Sequence, residues 1–405
     1  MREARTGLVL SGGGARGAYE AGVLGHLFEH VYPQLGPDFE FDVISGTSVG
    51  AVHAAFTAAT SDQERVARAQ LLSRTWSEMQ MSDVLHVSLR DLLALPLRAL
   101  GFGRKRRKNP QGTSLGGLVD VRPFQQLLKT RVPWDALRGN LETHDNALCV
   151  SCTEVRSGRV TVFMDGPLAD PAPWAHDPTA HAISGPISSQ HVRASAAIPF
   201  LFPAARIDGR YYVDGSLRVN TPLSPVLRLR AQRVLVVTLK HQPLAGEDPP
   251  AFPEEAIDQP AFLLGKVLDA LSLDQLEYEL QHIELINAMI ESGEEAFGEA
   301  FLPEVNRGVR EQRGVGFRRV ESAVVRPSQD IGRIAADCLR RSGARRSLGP
   351  LAALAARLST SGVPADEADL LSYLYFDRFF TSQLVELGRA DARAEQDRIL
   401  ELLAA

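Results

Sequence analysis

Residues 41–60 read "FDVISGTSVGAVHAAFTAAT". An apolar, partly β-branched strand runs into Gly46-Thr47-Ser48-Val49-Gly50, and an alanine-rich stretch suited to a helix follows. Strand, sharp turn and helix in that order form the setting of a nucleophile elbow, which holds a serine hydroxyl at the tip of a sheet. The glycines carry the steric half of the expectation, since in so tight a turn a Cβ at 46 or 50 would collide with the neighbouring strand or helix. Ser48 is therefore the candidate nucleophile.

Upstream, residues 8–24 read "LVLSGGGARGAYEAGVL". Gly12, Gly14 and Gly17 fit the spacing G-x-G-x-x-G of a dinucleotide-binding turn. Such a site also needs an acidic residue about 20 positions on, at the end of the second strand, to hold a ribose. Here the second strand, residues 39–45, ends in the serine elbow, and Asp42 sits near its beginning. The glycine loop thus reads better as an anion cradle, in which successive backbone N–H groups and a helix N-terminus face one concavity. Its residues are Gly12, Gly13, Gly14, Ala15, Arg16 and Gly17. The amides of Gly13, Gly14, Ala15 and Arg16 are the candidate donors to the oxyanion that forms when a serine attacks a carbonyl. The Arg16 side chain reads equally as a surface or interhelical ion pair. Strands 1 and 2 are expected to be neighbours, which brings both loops to the carboxyl ends of the sheet.

A serine hydroxyl needs an adjacent base. His53 lies five residues past Ser48 on the same expected helix and points away from it. His241 follows a strand, where an α/β-hydrolase would place a triad histidine. His176, His181 and His191 lie in or near a proline-rich loop at 166–187. No motif surrounds any of them. Residues 206–223, "RIDGRYYVDGSLRVNTPL", offer a carboxylate instead. Asp208-Gly209 is a hairpin-turn signal, and the second arm delivers Asp214 to a turn with Gly215 and Ser216, followed by Asn220 and Pro222. An ordinary aspartate titrates near 3.9; burial would raise it and a hydrogen bond to the serine would aim it.

Strand candidates "NALCVSC", "RVTVFM", "RYYVDG" and "RVLVVTL" alternate with helix-like stretches, which argues for a mostly parallel sheet covered on both faces. Cys149 and Cys152 have redox-motif spacing, but a strand's period of two sends the thiols to opposite faces. With Cys338 the count of three cysteines is odd and builds no disulfide framework. A net charge of −5 gives no reason to expect a nucleic-acid partner. No run approaches the roughly 20 apolar residues of a membrane span, and the N-terminus reads as the first strand of a cytoplasmic protein. Residues 241–260 are proline-rich and linker-like. Beyond them, Leu264, Leu268, Leu271, Leu276, Leu280, Ile283, Ile286 and Ile290 form the stripe of a long amphipathic helix. A late strand, "ESAVVRPS", and further helices follow. Residues 87–112 set leucines beside arginines and a basic cluster, Arg104 to Lys108, which could rest at a bilayer surface or pack as a core helix followed by a solvated loop.

"LSGGGARGAYEAGVL", "ISGTSVGA", "ASAAIPFLFP" and "YYVDGSLRVNTPL", in that order, resemble the patatin-like phospholipases over about the first 240 residues. "SAVVRPSQDIGRIAAD" and the helical C-terminus are similar to bacterial members with an extended tail. The resemblance implies a three-layer α/β/α sandwich and a Ser–Asp dyad without histidine. Ser48 would be the nucleophile, Asp214 the general base, and Gly12–Gly17 the oxyanion hole. It further implies hydrolysis of lipid or lysophospholipid acyl esters with no metal or cofactor; the expectation of transient contact with a membrane surface rests on residues 87–112 alone. The expected domains are a catalytic unit at 1–240 with its motifs within 8–227, a linker at 241–260, and a mainly helical extension at 261–405 packed on the core. One departure stands out: the family usually has D-G-G or D-G-A where this chain has Ser216. Two rival readings remain, an esterase with a His241 triad and an inactive lipid- or nucleotide-binding module.

Overall fold

Two strands buried along almost their whole length set the middle of the sheet. In the computed structural model, which describes residues 4–84, 120–199, 201–242, 275–341 and 372–404, β1 (Arg5–Leu10) and β2 (Val43–Thr47) pair in parallel. Gly7 lies opposite Val43 and Leu10 opposite Gly46. That register ends the two strands side by side, so the glycine loop and the serine elbow leave the same edge together.

Around this pair the order is β5-β4-β3-β2-β1-β8-β9, with β3 (Ala147–Glu154), β4 (Val160–Asp165), β5 (Ala180–Ser184), β8 (Ala231–Val237) and β9 (Glu321–Val325). Pairings β2–β3, β1–β8, β8–β9 and β4–β5 are parallel. The β3–β4 pair is antiparallel because the five residues between them are too few for a crossover. A hairpin of β6 (Ala205–Ile207) and β7 (Arg210–Asp214) turns at Asp208 and Gly209, both at positive φ, as the sequence suggested. Its β7 arm lies antiparallel to β3, with Asp214 opposite Cys152. This cross-connection carries a residue from a distant hairpin to the elbow.

Alternation along each strand supplies an apolar set to both faces. Leu8, Leu10, Ile44, Leu148 and Val150 join one core with α1 (Gly17–His26), α2 (Val49–Ala59) and α3 (Arg65–Ser77). Val9, Val43, Ala147, Val234 and Val236 join a second core that includes Leu276 and Ile283. The protein is thus an α/β sandwich with a mostly parallel sheet and added C-terminal helices. Cys152 belongs to the first core and Cys149 to the second, on opposite faces as expected; burial pushes both thiols up.

One sequence expectation changes in detail. The proline-rich stretch at 166–187 is not loop throughout, because Ala180–Ser184 pairs with β4 as the edge strand β5. Its short, half-exposed run, with His181 and Ser184 among small residues, hid the strand, since an edge needs no long apolar run. The amphipathic stripe appears as α6 (Leu276–Phe297), which follows α4 (Arg122–Arg131) and α5 (Ser189–Ser195) along the chain. Leu276, Ile283 and Ile290 are buried on it. Leu264, Leu268 and Leu271, the 87–112 segment and residues 243–260 of the linker lie outside the described residues. Among the described residues no helix is long and apolar enough to cross a membrane.

Candidate active site

Ser48 occupies the turn between β2 and α2 with φ 55° and ψ −120°, one of the few non-glycine residues at positive φ. Such a conformation costs on the order of 1–3 kcal/mol and persists only where surroundings enforce it. The enforcement is visible. A Cβ at Gly46 would overlap the Gly50 carbonyl, and one at Gly50 would overlap the Leu10 carbonyl at the end of β1. The Ser48 N–H donates to Ser195 Oγ at 2.8 Å, and that hydroxyl donates onward to the Ser151 carbonyl at 2.6 Å. Thr47 and Val49 flank the serine, both buried.

The Ser48 hydroxyl donates to Asp214 Oδ2 at 2.7 Å, and Asp214 Oδ1 accepts the Ser216 N–H at 2.8 Å. The Asp214 N–H donates to the Ala197 carbonyl at 2.9 Å, so the end of α5 and the residues just past it brace Asp214 as well as Ser48. Both side chains are almost fully buried, at 4% exposure each. Burial pushes the Asp214 carboxyl up to about 6, against hydrogen bonds from the Ser216 amide and the Ser48 hydroxyl that pull it down. Its anion is thus kept, but made more basic. Ser216 sits where the family places glycine or alanine. Its amide carries the contact to Asp214, while its hydroxyl faces Gly12.

The glycine loop lies against the serine. A Cβ at Gly12 would come to 3.3 Å from the Ser48 Cβ. Of the six loop residues, four have their amides engaged. Gly12 N–H donates to the Asn220 carbonyl, Ala15 N–H to the Tyr373 carbonyl, Arg16 N–H to the Gly13 carbonyl, and Gly17 N–H within the same short turn. The amides of Gly13 and Gly14 have no acceptor among the described residues. The candidate donors from the sequence, Gly13, Gly14, Ala15 and Arg16, therefore divide into two open and two occupied. The Arg16 side chain is buried, at 6% exposure, and its Nε donates to Ser372 Oγ at 2.7 Å.

Ser48 and Gly14 open onto a pocket with about 840 Å³ of empty space, part of it open solvent. Its walls are apolar almost throughout, including Val52, Phe56, Trp76, Phe124 and Phe202. His53 is also at its wall, with Nδ1 2.8 Å from Glu20 Oε2. Burial lowers the histidine to about 3 and raises the glutamic acid well above its usual range. Among the described residues no histidine is hydrogen-bonded to Ser48. His241 Nδ1 is 2.9 Å from the Pro327 carbonyl, His191 caps α5 through Ser188, and His181 contacts Thr161. No group of three or more metal-ligating side chains converges among the described residues.

Ser195 and the Ser372–Phe376 segment went unassigned from the sequence. For Ser195 a signal existed: a lone hydroxyl inside the small-residue run "ASAAIP" asks what it bonds. For the segment none did, because Arg16 and Ser372 meet across 356 positions.

Among solved structures, VipD from Legionella pneumophila matches at 14% identity and a TM-score of 0.33, covering 95% of this chain and 67% of that one. Human GIVD cytosolic phospholipase A2, in complex with methyl gamma-linolenyl fluorophosphonate, matches at 13% identity and a TM-score of 0.42. That match covers 99% of this chain but only 58% of the human one, so the chain spans little more than half of that enzyme's length. The family model described as patatin-like phospholipase matches residues 8–227, which take in the glycine loop, the elbow and the Asp214 turn. The match covers more than half of the chain, and the chain belongs to the patatin-like phospholipase family.

Proposed function

We propose that the protein is a serine lipid acyl hydrolase working through a Ser48–Asp214 dyad. The observation that carries the reading is the 2.7 Å bond from the Ser48 hydroxyl to a buried carboxylate raised to about 6. A base with that affinity accepts the hydroxyl proton as Ser48 Oγ attacks the ester carbonyl, and near pH 7 it is still mostly ionised beforehand. The carbonyl oxygen becomes an oxyanion, and the open amides of Gly13 and Gly14 are the groups available to receive it. Preorganised donors of this kind are worth about 3 kcal/mol each in the transition state. The proton held by Asp214 then passes to the leaving alkoxide, giving an acyl-Ser48 intermediate. Water, deprotonated by the same carboxylate, attacks the acyl group and regenerates the serine.

The apolar pocket supports the substrate class. Walls of valine, phenylalanine and tryptophan can desolvate an acyl chain, at about 0.8 kcal/mol for each buried methylene. Phospholipids, lysophospholipids and neutral acylglycerols all present such a chain. Peripheral contact with a lipid surface is part of the proposal, because the substrate lives there. A panel of these lipids, with products identified by mass spectrometry, tests the reading. Wild type is expected to release free fatty acid and Ser48→Ala none. Equal release by the two proteins would end it.

A further inference from the structure

The glycine loop has a difficulty of its own. Glycines surrender more backbone freedom on ordering than other residues, yet an oxyanion hole works only if its amides are fixed beforehand. On one side Gly12 is pinned by the Asn220 carbonyl at 3.0 Å. On the other side the fixing comes from far outside the family-matched residues. Ala15 N–H donates to the Tyr373 carbonyl at 2.9 Å, and the same oxygen packs against Gly14 so closely that no Cβ fits there. Arg16 Nε donates to the Ser372 hydroxyl at 2.7 Å, and its guanidinium carbon sits 4.0 Å from the centre of the Tyr373 ring. The two open amides lie between these anchors.

The same segment is part of the pocket, since Tyr373, Leu374 and Phe376 line it together with Ser48. Its own footing is firm. It leads into α7 (Arg378–Ala394), which is crossed with α1 at Gly22 and Gly388, each against a backbone carbonyl of the other helix. Tyr19 Oη donates to Asp391 Oδ2 at 3.0 Å, and Arg389 Nη1 is 2.7 Å from Oε2 of Glu29, just past the end of α1. The α1 helix starts directly after the glycine loop. Loop, helix and C-terminal segment are therefore one packed unit.

We propose that Ser372–Phe376 is a working part of the active site: Ser372 and Tyr373 are positioning residues that hold the Gly13 and Gly14 amides in place, while Leu374 and Phe376 wall the acyl pocket. The inference rests on the oxyanion role given above to those amides. It goes further by making residues outside 8–227 necessary for turnover.

The test uses the full chain with Ser372→Ala and, separately, Tyr373→Leu, alongside wild type. Active sites are counted with a fluorophosphonate probe, and kcat per titrated site and KM are measured on a short-chain ester that barely enters the pocket. A loosened loop should lower kcat per titrated site by about tenfold or more, since misplacement by 1 Å can cost roughly a hundredfold. KM should stay within about threefold, because a group acting only in the transition state does not alter ground-state binding. A purely structural role would lower the number of titratable sites and leave turnover per site intact. That result in both variants overturns the proposal, and the second variant serves if the first does not fold. A wild type that neither labels nor hydrolyses would instead end the dyad reading on which the proposal stands.

Discussion

Replacing Asp214 by Asn should make the protein inactive and more stable at the same time. The carboxylate is buried, and its folded value of about 6 stands above the ordinary 3.8. Between those two values the folded state binds more protons than the unfolded one. Stability therefore falls as pH rises through that window and stays lowered above it. Two units of raised pKa correspond to about 3 kcal/mol at pH 7. Asparagine keeps the shape, can accept the Ser216 N–H, and carries no charge to desolvate. Asp214→Asn is thus expected to gain about 3 kcal/mol at pH 7, and under about 1 kcal/mol at pH 4, where wild-type Asp214 is already protonated when folded. Urea unfolding at both pH values, followed by tryptophan fluorescence, reads the difference. Hydrolysis assayed in parallel should fall to near background. An Asn variant no more stable than wild type at pH 7 would refute the claim that burial makes this carboxylate a base.

Other consequences follow from the same geometry. For wild type, kcat/KM should rise about tenfold per pH unit below roughly pH 6 and level off above it, since the base must be ionised in the free enzyme; a profile flat from pH 5 to 8 contradicts the assignment. His241→Ala should keep near-normal kcat, because its ring contacts the Pro327 carbonyl, whereas a triad enzyme would lose activity by orders of magnitude in a steady-state assay. Gly50→Ala should cost at least about 3 kcal/mol in denaturant unfolding, as its methyl group meets the Leu10 carbonyl. Val52→Trp, on the pocket wall, should depress activity on long-chain esters far more than on short-chain ones, measured as the ratio of kcat/KM.

What could be read from the sequence was local. Gly46 declares a turn whose crowding neighbour, Gly50, is close by in the chain, and "IDGRYYVDG" declares its own hairpin. Asp214 needed one more step, because its meeting with Ser48 depends on β7 lying beside β3, which no spacing encodes. The division of the glycine loop into open and occupied amides was out of reach. It depends on Asn220 and Tyr373, whose carbonyls carry no residue-specific signal. The edge strand β5 was hidden for the opposite reason, since half-exposed residues beside prolines look like loop. Arg16 was readable as polar but not as buried, because its partner Ser372 lies near the other end of the chain.

The central claim is that Ser48 is a nucleophile activated by the carboxylate it touches. The most direct measurement is peptide mapping by mass spectrometry after reaction with a fluorophosphonate. The account predicts one adduct per chain, on Ser48, formed at a rate that falls sharply in folded Asp214→Asn. An adduct on a different serine, or an unmodified Ser48 in folded and hydrolytically active protein, would contradict it.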